Sequence, residues 1–152
     1  MGTGPGDPVM IGDQETNLEF GHPERSSGGD DARIPLRIVA RGVDVRTVVE
    51  IEAWSGGVQS LVDFFGDLSS SWRGWTGPKE WSDDGPGVAF SAMHDNIGAV
   101  KLDVMAESDG GWDGVGSWTV TVRVPIEPGA LERIATDLAH LLAGPSSDRE
   151  KS

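Results

Sequence analysis

Three tryptophans and one arginine lie within a single ten-residue segment, Trp72-Arg73-Gly74-Trp75-Thr76-Gly77-Pro78-Lys79-Glu80-Trp81. An indole joins a large apolar body to one N–H donor, and Trp and Arg are the residue types that dominate interface hot spots. The segment therefore predicts one of two structures. It is either a packed aromatic corner between a helix and a sheet, with Arg73 stacked on an indole, or an exposed surface that recognises a partner.

The individual tryptophans have different expected environments. Trp72 continues the apolar stripe of the preceding helix, so we expect it to be buried in the core. Gly74 allows a compact turn that folds Trp75 back onto the same surface, and Trp81 leads towards the next strand. Trp112 lies in a glycine-rich loop without helical or strand periodicity. We expect Trp112 to be the most exposed of the four.

His94 followed by Asp95 is the one pair in the chain that suggests acid–base chemistry. A histidine can act as a base, and an adjacent carboxylate can orient it. Neighbouring residues at a strand end point to opposite faces, however, so they form a dyad only if a turn brings them together. The structural alternative is a hairpin end in which Asp95 or Asn96 forms an Asx turn.

Other catalytic and metal-binding signatures are absent from the sequence. There is no cysteine, no phosphate-binding glycine loop, no G-x-S-x-G and no HExxH motif. The loop Asp109-Gly110-Gly111-Trp112-Asp113-Gly114 lacks the alternating oxygen ligands and closing Glu of an EF-hand. We therefore expect neither a cofactor nor a metal, and enzyme activity is the less favoured class of function.

The chain of 152 residues carries a formal net charge of −13. Residues 1–32 hold seven acids and one arginine, and residues 33–143 hold sixteen acids and nine bases. Such a field repels nucleic acids and anionic membranes, and it steers basic partners towards the protein. We expect a basic protein partner, no nucleic acid and no membrane, although an acidic surface also serves solubility alone.

Composition divides the chain into three parts. Residues 1–32 are rich in Gly, Pro, Asp and Ser and predict a flexible acidic arm, with a possible edge hairpin from Val9-Met10-Ile11 and Leu18-Glu19-Phe20. Residues 33–143 predict a single α+β domain, and residues 144–152 a polar tail. The N-terminus has no signal-peptide pattern and no apolar run is long enough to span a membrane. These features predict a cytoplasmic location.

Hydrophobic periodicity predicts the elements of the domain. Apolar residues alternate from Leu36 to Ala40, from Val45 to Ala53, and in three segments after residue 87, which indicates half-buried strands. Helical spacing predicts one helix from about Gly57 to Ser70 and a second from about Pro128 to Leu142. The expected order is β-β-β-α-β-β-β-α. It predicts a two-layer sandwich, a mainly antiparallel sheet with two helices packed on one face.

The W-x-G-W-x-G-x-x-x-W segment, the stretch from Ala92 to Val100 and the Trp118 strand together resemble an uncharacterised family of actinobacterial proteins, a domain of unknown function. The resemblance covers roughly residues 34–143. It includes a His-Asp pair before a small-residue turn, where the family favours Gly in place of Asn96. The resemblance implies domain boundaries but no activity, ligand or partner.

We expect a non-enzymatic cytoplasmic interaction protein that uses its acidic surface against a protein partner. Its size and charge are similar to those of immunity proteins that neutralise basic toxins, an analogy of fold and charge. The alternative is a small-ligand binder or an enzyme with a pocket around His94, Asp95 and the tryptophan segment. The candidate binding residues are Trp72, Arg73, Trp75, Trp81, His94, Asp95 and Trp112.

Overall fold

The structure, a computed structural model, describes residues 8–25, 31–52, 57–83 and 87–143. In these ranges strands outnumber helices, and two α-helices follow the two groups of strands. In chain order the elements are β1 (Val9–Gly12), β2 (Asn17–Phe20), β3 (Glu24–Arg25), β4 (Ala32–Ala40), β5 (Val43–Ile51), α1 (Gly57–Ser70), β6 (Lys79–Ser82), β7 (Val88–His94), β8 (Val100–Ser108), β9 (Trp118–Ile126), a 3-10 turn (Pro128–Ala130) and α2 (Leu131–Ala143).

The strands form two antiparallel sheets. In the first sheet β4 is central: it pairs with β5 along one edge and with both β2 and β3 along the other, and β1 extends the sheet beyond β2. The second sheet has the order β6-β7-β8-β9, so each strand pairs with its neighbour in sequence. The α+β class and the approximate element order are confirmed, but the strands divide between two sheets.

One hydrophobic core joins both sheets and both helices. Phe20 of β2 lies 6.3 Å from Phe65 of α1 and 6.0 Å from Phe90 of β7, measured between ring centroids. The rings meet edge to face, an arrangement that aromatic quadrupoles favour. Alternation along the strands places every second side chain in this core, as the period of two requires.

The helices present narrow apolar stripes to the core. In α1 the buried side chains recur at positions three and four apart, and the helix has the bounds that its periodicity predicts. A 3-10 turn that begins at Pro128 leads into α2. In α2 the buried stripe extends to Leu142. The predicted C-terminal tail, 144–152, lies outside the described residues.

The N-terminal hairpin belongs to the core, so the prediction of a flexible arm over residues 1–32 is wrong for residues 8–25. The possible hairpin is present as β1 and β2, and Ile11, Leu18 and Phe20 are all 0% exposed. The abundance of Gly, Pro and Asp around these short apolar groups reflects the turns that join the strands. Asp13, for example, accepts the backbone N–H groups of Glu15 and Thr16.

Two close contacts hold the two sheets together. Asp83, after β6, accepts the backbone N–H of Glu50 in β5 at 3.0 Å and that of Val88 in β7 at 3.1 Å. On the other side, a Cβ added to Gly12 of β1 would lie 2.8 Å from Val124 of β9, so β1 and β9 approach closely there. Asp83 thereby supplies a side-chain acceptor to backbone donors from both sheets.

The end of β9 departs from the expected core. Trp118 has the parity of the buried side chains Val122 and Val124 in its strand, so strict alternation predicts that it is buried too. It is instead 38% exposed, because it lies at the end of the second sheet beside the long β8–β9 loop.

Among the described residues, no helix is long and apolar enough to cross a membrane.

Candidate functional site

His94 is the buried centre of the corner between the tryptophan segment and the β7–β8 turn. Its side chain is 6% exposed and packs edge to face against Trp75, with 5.1 Å between the ring centroids. Nδ1 lies 2.8 Å from the backbone nitrogen of Asn96, and Nε2 lies 2.9 Å from the carbonyl oxygen of Trp72. The imidazole therefore accepts at Nδ1 and donates from Nε2, an assignment that rests on these two partners.

Asp95 stabilises the turn and does not orient His94. Its Oδ1 accepts hydrogen bonds from the backbone N–H groups of Ile97 and Ala99, each at 2.9 Å. These bonds, chiefly that from Ile97, lower the pKa of the Asp95 carboxyl, and Lys101 and His94 add a smaller electrostatic effect. The hydrogen bonds show the Asx-turn alternative. Because both ring nitrogens of His94 are engaged by the backbone, the pair is not arranged as a catalytic base and its orienting carboxylate.

Trp75 and Asn96 lock the tryptophan segment onto this turn. The Trp75 indole donates to the Ala92 carbonyl at 3.2 Å, and the Asn96 amide donates to the Trp75 carbonyl at 3.3 Å. Asn96 has a φ of 65°, a left-handed conformation that Asn tolerates better than most residues other than Gly. Gly74 has a φ of 146°, which residues with a side chain rarely adopt, and an added Cβ would lie 2.2 Å from Asn96 Oδ1, so both the backbone and the contact favour glycine. Asn96 and Gly74 were missed as site residues, although the preference of the resembled family for Gly at position 96 was a signal.

Trp81 also has a structural role. Its ring stacks on Phe90 with 5.5 Å between centroids and 21° between planes, and its N–H donates to Ser60 Oγ at 3.2 Å. Lys79 lies with Nζ 5.6 Å from the centre of the Trp75 ring and 2.9 Å from Asp67 of α1. Trp75 and Trp81 therefore form the packed aromatic corner that was one of the two predicted alternatives.

Trp72 is exposed, and its predicted burial is wrong. Its side chain is 49% exposed, because α1 ends at Ser70 and the chain has left the helical path before Trp72. The Arg73 guanidinium lies 5.2 Å from the centre of the Trp72 ring. Trp72 lines a groove of about 530 Å³ between the end of α1 and the start of α2, and Ser69 and Glu132 are among the residues that form its walls.

Trp112 occupies a different end of the molecule and is 97% exposed. We name the segment between β8 and β9, residues 109–117, the Trp112 loop. Its path depends on glycines with positive φ, at Gly110, Gly111, Gly114 and Gly116. An added Cβ at Gly110 would lie 2.4 Å from the backbone nitrogen of Ser117, so the loop closes tightly on itself.

The Trp112 loop is ordered by its own hydrogen bonds. The Gly114 N–H donates to the Gly111 carbonyl at 3.1 Å, and the Ser117 N–H donates to the Gly114 carbonyl at 3.2 Å. Asp113 Oδ1 accepts the N–H of Val115 at 3.0 Å. Val115 is 72% exposed beside Trp112, an apolar neighbour that was not predicted as part of a site, although its type in a polar loop was a signal.

The seven predicted residues therefore do not form one site. Trp72, Arg73, Trp75, His94 and Asp95 surround the β7–β8 turn, and Trp81 packs on the core nearby. Trp112 lies at the other end of β8, which at the usual rise of a strand is about 30 Å away. The structure thus separates a structural corner from an exposed loop.

Acids outnumber bases, with a net charge of −13, and several of the bases are paired with acids. Exposed ion pairs join Arg33 to Glu50, Arg37 to Asp44, Lys79 to Asp67, Arg123 to Asp103 and Arg133 to Asp137. The hydrogen bond from Arg37 lowers the pKa of Asp44. In the ranges that the structure describes, no group of three or more His, Asp or Glu side chains is arranged to hold a metal ion.

Residues 9–145 match a family of unknown function (DUF6228), and the chain belongs to that family. The match begins at β1, so it includes the N-terminal hairpin that packs in the core. Comparisons with curated proteins and with solved structures found no match.

Proposed function

We propose that this protein is a non-enzymatic cytoplasmic interaction protein that binds a basic protein partner through the Trp112 loop. The observation that carries the proposal is Trp112 itself, 97% exposed on a loop whose own hydrogen bonds hold it in place. Burying an exposed indole at an interface releases a large apolar area from water, and central tryptophans are frequent hot spots. The neighbouring exposed side chains, Val115 and Trp118, extend the apolar surface.

The order within the loop supports a binding role. A loop that is already held by hydrogen bonds loses less conformational entropy on binding than a flexible one. The tight approach of Gly110 to Ser117 fixes the base of the loop, and the Asp113–Val115 hydrogen bond fixes its tip. Trp112 is therefore presented without a role in packing the fold.

Charge selects the type of partner. From Leu102 to Val122 the chain has four carboxylates and no basic residue. Of these, Asp103 is paired with Arg123, whereas Glu107 lies near the end of β8 and Asp109 and Asp113 belong to the Trp112 loop. An apolar tip surrounded by carboxylates favours a basic surface that contains an apolar pocket, because opposite fields accelerate association.

The more specific version of this proposal is an immunity-like inhibitor of a basic toxin, supported by the small size and net charge of −13. The alternative, an enzyme or small-ligand binder at His94 and Asp95, has less support because both side chains are engaged in the turn. We also propose an actinobacterial origin and a family-wide role for the W-x-G-W signature as the packed corner.

Affinity capture from the source organism tests the proposal, with Trp112→Ala as the test variant and Trp72→Ala as the matched control. Both variants remove an exposed indole, but only one changes the Trp112 loop. We expect wild type and Trp72→Ala to retain the same basic protein and Trp112→Ala to lose it. Retention should weaken as salt rises to 0.15 M, where the Debye length is about 8 Å.

Three results would contradict the proposal. They are an acidic partner, retention that is equal in Trp112→Ala and wild type, and measurable affinity for DNA. Calorimetry with the purified partner should give the same ranking, with wild type and Trp72→Ala binding more tightly than Trp112→Ala. This measurement separates direct binding from capture through a third protein.

A further inference from the structure

The strand β5 forms a long open edge of the first sheet. Over its nine residues, Val43–Ile51, it pairs with β4 only, among the residues that the structure describes. The other edge strands differ, because β1, β3 and β6 have four residues or fewer, and β9 contains Pro125 and lies against β1. A long open edge presents unpaired N–H and C=O groups, which are a template for pairing with another strand.

The backbone groups that face this edge are identified by Glu50. Its N–H donates to Asp83, which lies outside the first sheet, so this N–H points away from β4. Backbone directions alternate along a strand, so the N–H and C=O groups of Asp44, Arg46 and Val48 also point away from β4. These three residues therefore present donors and acceptors that β4 does not use.

The usable part of the edge is short and bounded at both ends. The turn from β4, residues 41–42, lies at one end, and Asp83 occupies the N–H of Glu50 at the other. A second copy that pairs antiparallel in a register centred near Val48 would need that N–H, which is not free. The remaining registers are centred on Asp44, Val45 or Arg46.

Charge selects one of these registers. Centring the pair on Asp44 or on Arg46 places that residue opposite its own copy, and like charges directly opposite each other are destabilising. Centring it on Val45 places Asp44 opposite Arg46 of the second copy, and two-fold symmetry makes this contact twice. Both side chains are exposed on the outer face of the sheet. The strand is thus complementary to itself in a single antiparallel register.

The same register brings side chains together on the inner face of the sheet. Val45 lies opposite its copy, and Val43 lies opposite Thr47 of the second copy. All three side chains are only partly buried in the single chain. β-branched residues that face each other across strands stabilise a sheet, and pairing removes more of their apolar surface from water.

Asp44 is already oriented, and it has room for a second cation. Arg37 donates to its two carboxylate oxygens at 2.9 and 2.7 Å. A carboxylate has about four lone-pair sites, so these two bonds leave acceptors for Arg46 of the second copy. Within its own chain Arg46 lies directly opposite Arg37 and makes no ion pair with the described residues.

The β4–β5 hairpin is basic in an acidic molecule. From Ala32 to Ile51 it has four arginines and two acids, so it carries +2 and the rest of the chain carries −15. Two copies with a net charge of −13 repel each other in most orientations. That repulsion is reduced where two hairpins meet, so the charge distribution favours self-association at this edge.

We propose that β5 mediates a two-fold homodimer in which the two first sheets join edge to edge as one antiparallel sheet. Val45 lies on the axis, and Asp44 pairs with Arg46 of the second copy. Such an isologous contact is self-complementary and closes at two copies. The dimer uses no residue of the Trp112 loop, so it is independent of the partner proposed for that loop.

Sedimentation equilibrium of the full chain over a range of concentrations measures the dimer. We expect the mass to rise from 16.1 kDa towards twice that value. The dissociation constant should be roughly 0.1 mM, because an interface built on one sheet edge is small and small interfaces are weak. A single 16.1 kDa species at about ten times that concentration would contradict the proposal.

Charge variants test the register. Arg46→Asp and Asp44→Arg each place like charges opposite each other, so each should raise the dissociation constant about tenfold or more. Asp44→Arg also lowers the net negative charge, so its effect cannot come from general repulsion. The double variant Asp44→Arg/Arg46→Asp faces opposite charges again in exchanged positions and should restore wild-type affinity, which separates charge pairing from a loss of folding.

Arg133→Asp is the matched control for Arg46→Asp. It makes the same charge change at an exposed residue of α2 and should leave the dissociation constant unchanged. Hydrogen exchange followed by NMR locates the contact: the amides of Asp44 and Arg46 should exchange more slowly as the concentration rises, and the amide of Trp112 should not change.

Four results would overturn the proposal. They are equal affinities of Arg46→Asp and wild type, a double variant that dimerises no better than the single ones, protection that appears at amides outside β5 alone, and loss of the dimer in Trp112→Ala. The last result would assign self-association to the exposed indole.

Discussion

At the scale of single residues, the β7–β8 turn shows how hydrogen-bond partners decide the role of a reactive residue type. His94 has the chemistry of a base, yet the backbone of Asn96 and Trp72 engages both its nitrogens. Asp95 has the chemistry of an acid, yet backbone N–H groups occupy its Oδ1. Both residues contribute to the conformation of the turn, so we expect them to affect stability.

The indoles of Trp72 and Trp75 should differ in their effect on stability. Trp75→Ala removes a partly buried ring, its hydrogen bond to Ala92 and its contact with His94, and should cost roughly 3 kcal/mol. Trp72→Ala removes an exposed ring and should cost less than about 1 kcal/mol. Urea unfolding of both variants measures the difference. Equal losses would mean that Trp72 is packed after all.

The turn at Asp95 should make stability depend on pH in the acid range. Because folding lowers the pKa of Asp95, its ionised form stabilises the folded state above the pKa of the unfolded chain, about 3.9. That contribution is lost as the pH falls through the lower, folded pKa. The melting temperatures of wild type and Asp95→Ala should therefore differ at neutral pH and converge at acid pH. A difference that grows on acidification would contradict the assignment.

At the scale of elements, Asp83 connects β5 of the first sheet to β7 of the second through two backbone N–H groups. Asp83→Ala leaves the donors of Glu50 and Val88 without this acceptor and should cost roughly 2–3 kcal/mol. Asp63→Ala is the control, since Asp63 lies on the exposed side of α1 and accepts a hydrogen bond from the Gln59 side chain. Thermal unfolding compares them. Similar stabilities of the two variants would show that the sheets do not depend on Asp83.

The sequence predicts those elements whose burial is periodic. The alternation in β4 and β7 and the stripe of α1 follow directly from which side chains face the core. The prediction that Trp72 continues the buried stripe of α1 is wrong because periodicity does not encode where the helix ends. The strands β1 and β2 are too short for a strong pattern, and the contact between His94 and the Trp72 carbonyl joins residues 22 apart in sequence. Such tertiary contacts carry no local signal.

At the scale of the whole molecule, the N-terminal hairpin is part of the fold. Deleting residues 1–25 removes the core side chains of Ile11, Leu18 and Phe20 and exposes the edge of β4, so the shortened chain should fail to fold. Circular dichroism and size-exclusion chromatography measure the outcome. A cooperative melting transition in the deletion variant would overturn this expectation and restore the view of residues 1–32 as a separable arm.

The contact between β1 and β9 also has a consequence for the order of events during synthesis. β1 leaves the ribosome well before β9, yet it lies against β9, more than 100 residues later in the chain. Likewise the Arg25 guanidinium donates to the Leu142 carbonyl near the end of α2. Contacts of such sequence separation form late and slow folding. We therefore expect the first sheet of the nascent chain to remain incompletely covered until α2 has been translated.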